Sequence, residues 1–177
     1  MDKTQLGVVR GMGLAMLTAV AAFAFSATYV SRVWVVGSGL DMRATVAAWS
    51  LVLPAFALFV CIARLAKHRF FTPEDIHGSA LTSGSEKAKL LQALLQNTLE
   101  QSCLALPVYI ATSLVAPAPL LPVVPAAAVM FLFGRLFFFA GYAKGAPARA
   151  YGFGLTFYPT VLLLLFLVAL GVAQAVA

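Results

Sequence analysis

The chain has 177 residues, of which 62% are hydrophobic and 10% charged, and its mean hydropathy is +0.96. This excludes a soluble globular domain and indicates a polytopic membrane protein, with room for about five spans of ~20 residues and none for a separate soluble domain. Its apolar segments are continuous, unlike the alternating strands of an outer-membrane barrel, and the net charge of +6 is read as a membrane topology signal and not as a nucleic-acid surface.

A polar start at residues 1–10 precedes the first apolar run, residues 11–30. That run is longer than the ~7 to 15 residue core of a signal peptide, so a retained span is preferred over cleavage near Ala24. A connection holding Arg32, Asp41 and Arg43 leads to a second span, residues 44–62, with Pro54 as a kink point and Trp34 and Trp49 as interface anchors. Residues 63–89 are the one long polar segment and carry Arg64, Lys67, Arg69, Lys87 and Lys89. Within it Thr72-Pro73-Glu74-Asp75 reads as a helix N-terminus, with Thr as cap, Pro at the first position and acids in the first turn.

Ser85 and Glu86 open a third span, which runs to about residue 115 and ends in an uncharged, proline-rich turn. The fourth span, residues 125–142, sets Arg135, Phe138, Phe139 and Tyr142 on one helical face. A short basic connection precedes the last span, residues 152–172, with Pro159 near its beginning. The expected fold class is therefore all-α, a polytopic membrane helix bundle. Two pairs of small residues four apart, Gly7 with Gly11 and Gly141 with Gly145, mark expected sites of close helix contact.

Lysine and arginine are distributed unevenly across the connections. Lys3, Arg10, the five basic residues of the long loop, Lys144 and Arg149 fall on one side, against Arg32 and Arg43 on the other. The positive-inside rule then places the N-terminus and loop 63–89 in the cytoplasm and the C-terminus outside.

The third span has polar residues at its centre. Gln92, Gln96 and Glu100 recur every four residues and so fall within about 80° of one another on a helix, with Asn97 about 60° further round. A carboxylate in hydrocarbon costs at least ~2.5 kcal/mol, so Glu100 is expected to face protein, water or a ligand. The face serves either as hydrogen-bonding glue between helices or as a ligand site. Arg135 lies at a depth matching Glu100, and an ion pair between the two is expected. Cys61 and Cys103 sit in apolar segments, His68 and His77 lie in the polar loop, and no metal-binding spacing occurs.

The stretches LLQALLQNTLEQSCLALPVYIATSL and FLFGRLFFFAGYAKGAPARAYGFG together resemble the membrane-associated proteins in eicosanoid and glutathione metabolism, the MAPEG family. The likeness rests on Asn97 and Glu100 as Asn-x-x-Glu, on Arg-Leu and then Gly-Tyr from Arg135 to Tyr142, and on Arg149 seven residues beyond that tyrosine. It implies a four-helix protomer, here the MAPEG-like domain of residues 44–177, assembled as a homotrimer with glutathione bound between subunits near the cytoplasmic side; the N-terminal transmembrane helix and connection read from hydropathy, residues 1–43, are atypical of that family.

By the same resemblance Asn97, Glu100, Tyr142 and Arg64 match glutathione contacts, and Arg149 matches the catalytic arginine that stabilises the thiolate. The implied activity is that of a glutathione-dependent transferase or peroxidase acting on a lipophilic electrophile or lipid hydroperoxide. The alternative is a non-catalytic family member that binds membrane lipids or a partner. Three positions depart from the family pattern: Ala93 stands where an arginine is usual, Phe138 where many members have tyrosine, and Gln101 where an aromatic can stand.

Overall fold

The computed structural model describes residues 1–34, 39–78, 81 and 83–176. Its five long helices are α1 (Lys3–Val33), α2 (Leu40–Phe71), α3 (Glu86–Val115), α4 (Val123–Tyr142) and α5 (Ala146–Val176). There is no strand among the described residues. α1, α2, α5 and the segment Ala118–Tyr142, which contains α4, are long and apolar enough to cross a membrane. At 30 residues α3 is also long enough, but Gln92, Gln96, Asn97, Glu100 and Gln101 interrupt its apolar run.

Four of the five helices are longer than their predicted spans, and α3 matches its own. α1 starts at a capping box in which the Asp2 carboxylate accepts from the Gln5 N–H at 2.6 Å and the Gln5 side chain accepts from the Asp2 N–H at 3.0 Å. It then continues through a π-helical turn, Ser26–Val30. α2 extends some nine residues into the segment expected to be a loop, so Arg64, Lys67, His68 and Arg69 ride on its last turns. Their long side chains keep the charged heads outside the apolar layer while the backbone stays helical.

The expected helix at Thr72 is a single 3₁₀ turn, Pro73–Asp75, which the Thr72 hydroxyl does not cap. That hydroxyl instead lies 3.4 Å from His68 Nδ1. Of the predicted interface anchors, Trp34 and Trp49 are both exposed.

Residue pairings between helices give their directions. α4 and α5 run antiparallel, with Gly134 beside Thr156 and Gly141 beside Ala148. α2 and α3 do the same, with Cys61 bonded to Thr98 and Arg69 to Gln92. α1 lies parallel to α5, with Gly7 against Pro147 and Gly11 against Ala150. The α4–α5 contact needs glycine, because a Cβ on Gly134 would stand 2.9 Å from the Gly152 carbonyl oxygen, and one on Gly152 would stand 2.7 Å from the Gly134 oxygen. Of the two expected small-residue pairs, Gly7 and Gly11 seat a helix, whereas Gly141 and Gly145 divide the work. Gly141 touches α5, while Gly145 has φ +97° and makes the tight turn between α4 and α5.

One apolar cluster, around Tyr109, Val124, Ala127, Phe131 and Leu163, fills the bundle at the end away from the long loop. A smaller cluster, Ala15, Ala19, Met130 and Leu155, joins α1 to α4 and α5.

At the other end a carboxylate ties the loop. Asp75 is buried and accepts from the Ser85 N–H at 2.8 Å, the Ser85 hydroxyl at 2.6 Å and His68 Nε2 at 2.9 Å. Ser85 in turn caps α3 by accepting from the Ala88 N–H at 3.2 Å. The Ser85 hydroxyl first, then its N–H and His68, hold the Asp75 carboxyl below the usual carboxylate range.

Because the folded-state value is depressed, the stability contributed by this tie is complete above the unfolded value of about 3.9 and is lost as pH falls through the folded one. We expect the protection of the Ser85 and Ala88 amides, taken as the exchange rate relative to the intrinsic rate at each pH, to be high at neutral pH and to fall once the pH drops below about 4. In Asp75→Asn that protection should be low at every pH.

Candidate functional site

The most deeply buried large polar side chain is that of Arg135 on α4, with no exposed surface. Its Nε and Nη2 donate to Thr156 Oγ1 of α5 at 2.9 and 2.8 Å, and its Nη1 donates to Asn97 Oδ1 of α3 at 2.8 Å. Thr156 completes its valence by donating to the Gly152 carbonyl at 3.0 Å. The ring of Phe138 lies 4.5 Å from the guanidinium carbon, and that of Phe131 lies 5.9 Å away.

The expected ion pair with Glu100 does not form. Glu100 is exposed on the outer side of α3, where it accepts from Gln96 Nε2 at 3.0 Å. The physical reason is rotation around one helix: Asn97 and Glu100, three residues apart, point about 60° apart, and α4 and α5 pack against the asparagine side.

The arginine fixes the asparagine. A guanidinium only donates, so Asn97 must present Oδ1 to Arg135, which leaves its Nδ2 donors pointing elsewhere. Asn97 also lines a cleft of about 370 Å³ with Phe138, Tyr142, Arg149 and Phe153, walled on the far side by Val8 and Met12 of α1. The Arg149 guanidinium carbon stands 4.3 Å from the centre of the Tyr142 ring. No carboxylate lines this cleft among the described residues. Its polar groups are an amide donor, a phenol and a cation, a set suited to an anion.

Three of the predicted site residues, Asn97, Tyr142 and Arg149, are therefore brought together, and two are not. Arg64 is exposed near the end of α2, 5.8 Å from the Phe139 ring, and lines a separate basic recess of about 430 Å³ with Lys67, His68 and Lys87. Glu100 faces outward on α3.

Sequence reasoning missed Thr156, Val8 and Met12. A threonine within an apolar helix carries little signal, although its place four residues after Gly152, opposite Gly134, lies at a close approach of α4 and α5. Val8 and Met12 enter only through the packing of α1 on α5, which no local pattern encodes.

Five long helices, mostly apolar and gathered around a buried arginine, define a multi-pass integral membrane protein. The family model of the MAPEG family matches residues 42–169, and the chain belongs to that family. No curated protein and no solved structure matches it. α1 lies outside the matched residues.

Thr156→Val keeps the shape of the side chain and deletes the acceptor of two guanidinium bonds. It should destabilise the bundle by about 3 kcal/mol, read as a lower thermal unfolding midpoint of the detergent-solubilised protein. An unchanged midpoint would mean that Thr156 is not what compensates the buried charge.

Proposed function

We propose that this protein is a glutathione-dependent transferase acting on a lipophilic electrophile, working as a homotrimer with its long loop in the cytoplasm. The observation that carries the reading is the cleft in which Asn97, Tyr142 and Arg149 converge without an opposing carboxylate. Its volume lies within the ~300 to 1,000 Å³ typical of small-molecule sites.

Glutathione presents two carboxylates and a thiol. Thiols with pKa near 8.5 are mostly protonated at neutral pH, and a cation beside the sulfur shifts the balance toward thiolate. Arg149 is the cation in reach. Because arginine does not give up its proton, it acts by charge and hydrogen bonding and not as a base. Tyr142, stacked on that guanidinium, holds it in place and offers its hydroxyl to the cleft. A lipid hydroperoxide is the other substrate this chemistry would serve, with two thiols oxidised to a disulfide as the O–O bond is reduced to an alcohol and water.

The outer face of α3 supports assembly. Gln96, Glu100, Cys103, Pro107, Ile110 and Leu114 are all exposed and follow one another at alternating spacings of four and three. That is the spacing of a seam between supercoiled helices. With Glu100 on it, the seam is costly to leave against lipid, so it is assigned to a second copy of the chain. The number three comes from the family resemblance. In such an assembly the exposed Arg64 would serve a neighbour's cleft, gripping a glutathione carboxylate, and Glu100 would face the ligand or the seam.

Two observations favour the non-catalytic alternative. Arg149 already has a partner in the Tyr142 ring, and Ala93 and Phe138 supply no charge where the family pattern has polar groups.

Two measurements test the proposal. Native mass spectrometry from detergent should give a particle of three times the 18.7 kDa chain mass, and a monomer would remove the shared-site part of the reading. The ultraviolet absorbance of bound thiolate should appear when glutathione is added to the wild-type protein. In Arg149→Ala that signal should vanish and conjugation should fall by about 10² or more, with the particle mass unchanged. Retained activity in the variant would exclude Arg149 as the catalytic residue.

A further inference from the structure

α1 lies outside the family-matched residues, yet it supplies a wall of the cleft. Its seat on α5 is a stripe of small residues four apart, Gly7, Gly11 and Ala15. A Cβ on Gly7 would stand 2.9 Å from Pro147 Cβ, one on Gly11 would stand 3.0 Å from Ala150 Cβ, and one on Gly154 would stand 2.7 Å from Ala15 Cβ. Such spacing keeps the stripe on one face and lets the two helices meet almost backbone to backbone. Val8 and Met12 each follow a seat glycine by one residue, about 100° round the helix, and both line the cleft. Their place is set by the docking of α1 and needs no ligand to hold it.

We infer that Val8 and Met12 form the subsite for the aliphatic part of the electrophile and set the chain length it accepts. This rests on the glutathione reading above. The cleft has two chemically different sides: Asn97, Tyr142 and Arg149 suit the charged tripeptide, whereas Val8 and Met12 offer it nothing. For a chain that arrives from the bilayer, burial adds no transfer from water, so the wall discriminates by contact and fit, and the unbranched thioether of Met12 adapts to such a chain.

The depth and the approach also fit. Val8 and Met12 lie about 8 to 14 Å along α1 from its start, where headgroups give way to acyl chains. The neighbouring Leu6, Val9 and Leu14 are exposed apolar side chains, as a surface turned to lipid requires. An amphiphile dissolved in the bilayer therefore reaches this flank with its tail in hydrocarbon and its reactive head toward the thiol.

For a 2-alkenal the step balances without a further reactant. The thiolate sulfur bonds to the β carbon, the C=C π pair moves to the carbonyl oxygen as an enolate, and water returns a proton to the α carbon.

The test uses the full chain in detergent, with glutathione and short-, medium- and long-chain 2-alkenals as probes. Met12→Trp fills the wall and should raise KM for the long-chain alkenals about tenfold while sparing the short ones. Val8→Ala opens the wall and should shift the preference toward longer chains. Glutathione affinity, measured on the same preparations, should not follow these opposite shifts. A merely structural role for α1 would depress both variants alike, together with glutathione binding, and would overturn the inference. An unchanged chain-length profile in both variants, with glutathione still bound, removes the role of α1 alone. A wild-type protein that binds no glutathione at millimolar concentration overturns the glutathione reading and this inference with it.

Discussion

A guanidinium with no carboxylate beside it among the described residues lies at the centre of this bundle, and much of the architecture serves to keep it there. Moving a cation from water into a low-dielectric interior costs several kcal/mol even after relaxation. Here the compensation is entirely neutral: one threonine oxygen, one asparagine oxygen and two aromatic faces. Each partner comes from a defined place. Thr156 reaches Arg135 because Gly134 and Gly152 let α4 and α5 approach closely. Asn97 reaches it because α3 packs against α5 on its asparagine side. Three helices are thus bound to one charge, and the Asn97 amide is oriented as a by-product.

That orientation links stability to chemistry. With Oδ1 committed to Arg135, Asn97 can only donate into the cleft, and the carboxylate of Glu100 is kept out of it. The cleft therefore retains net positive character from Arg149, which a thiolate or carboxylate ligand needs. Had Glu100 taken the arginine, Asn97 would have been free to turn either way. The buried arginine is accordingly a positioning residue: it does not line the cleft, and it orients the asparagine that does.

Much of this was legible in the sequence, and the failures have physical causes. Hydropathy located all five helices, and the Gly7 and Gly11 pair announced a helix seat. The end of α2 was misplaced because Arg64, Lys67 and Arg69 look like loop composition, yet long side chains allow a helix to continue past the apolar layer. Thr72 was read as a cap from its neighbours Pro73, Glu74 and Asp75, but the acid meant for a helical turn is used to tie Ser85 and His68. The Glu100 pairing failed because matching depth fixes position along a helix axis and not rotation about it. Asn97, Tyr142 and Arg149 were singled out by the family resemblance, and they meet at one cleft from α3, α4 and α5. The α1 wall was not, since the register between helices distant in sequence follows from packing alone.

α3 is the least apolar of the five helices, and that bears on how the chain enters its membrane. A charged residue at a helix centre weighs about +2.5 to +3.5 kcal/mol on the insertion scale, against −0.3 to −0.6 for each Leu, Ile, Phe or Val. Gln92, Gln96, Asn97, Glu100 and Gln101 therefore leave α3 with little tendency to partition alone. Synthesis delivers α2 before it and α4 after it, so α3 enters as the second arm of a hairpin whose tip is pinned at Asp75. Its bonds to α2, through Thr98 and Gln92, can form at once, whereas its bond to Arg135 forms only when α4 emerges. Insertion of this helix is thus a collective event, in which the order of translation becomes the order of stabilisation.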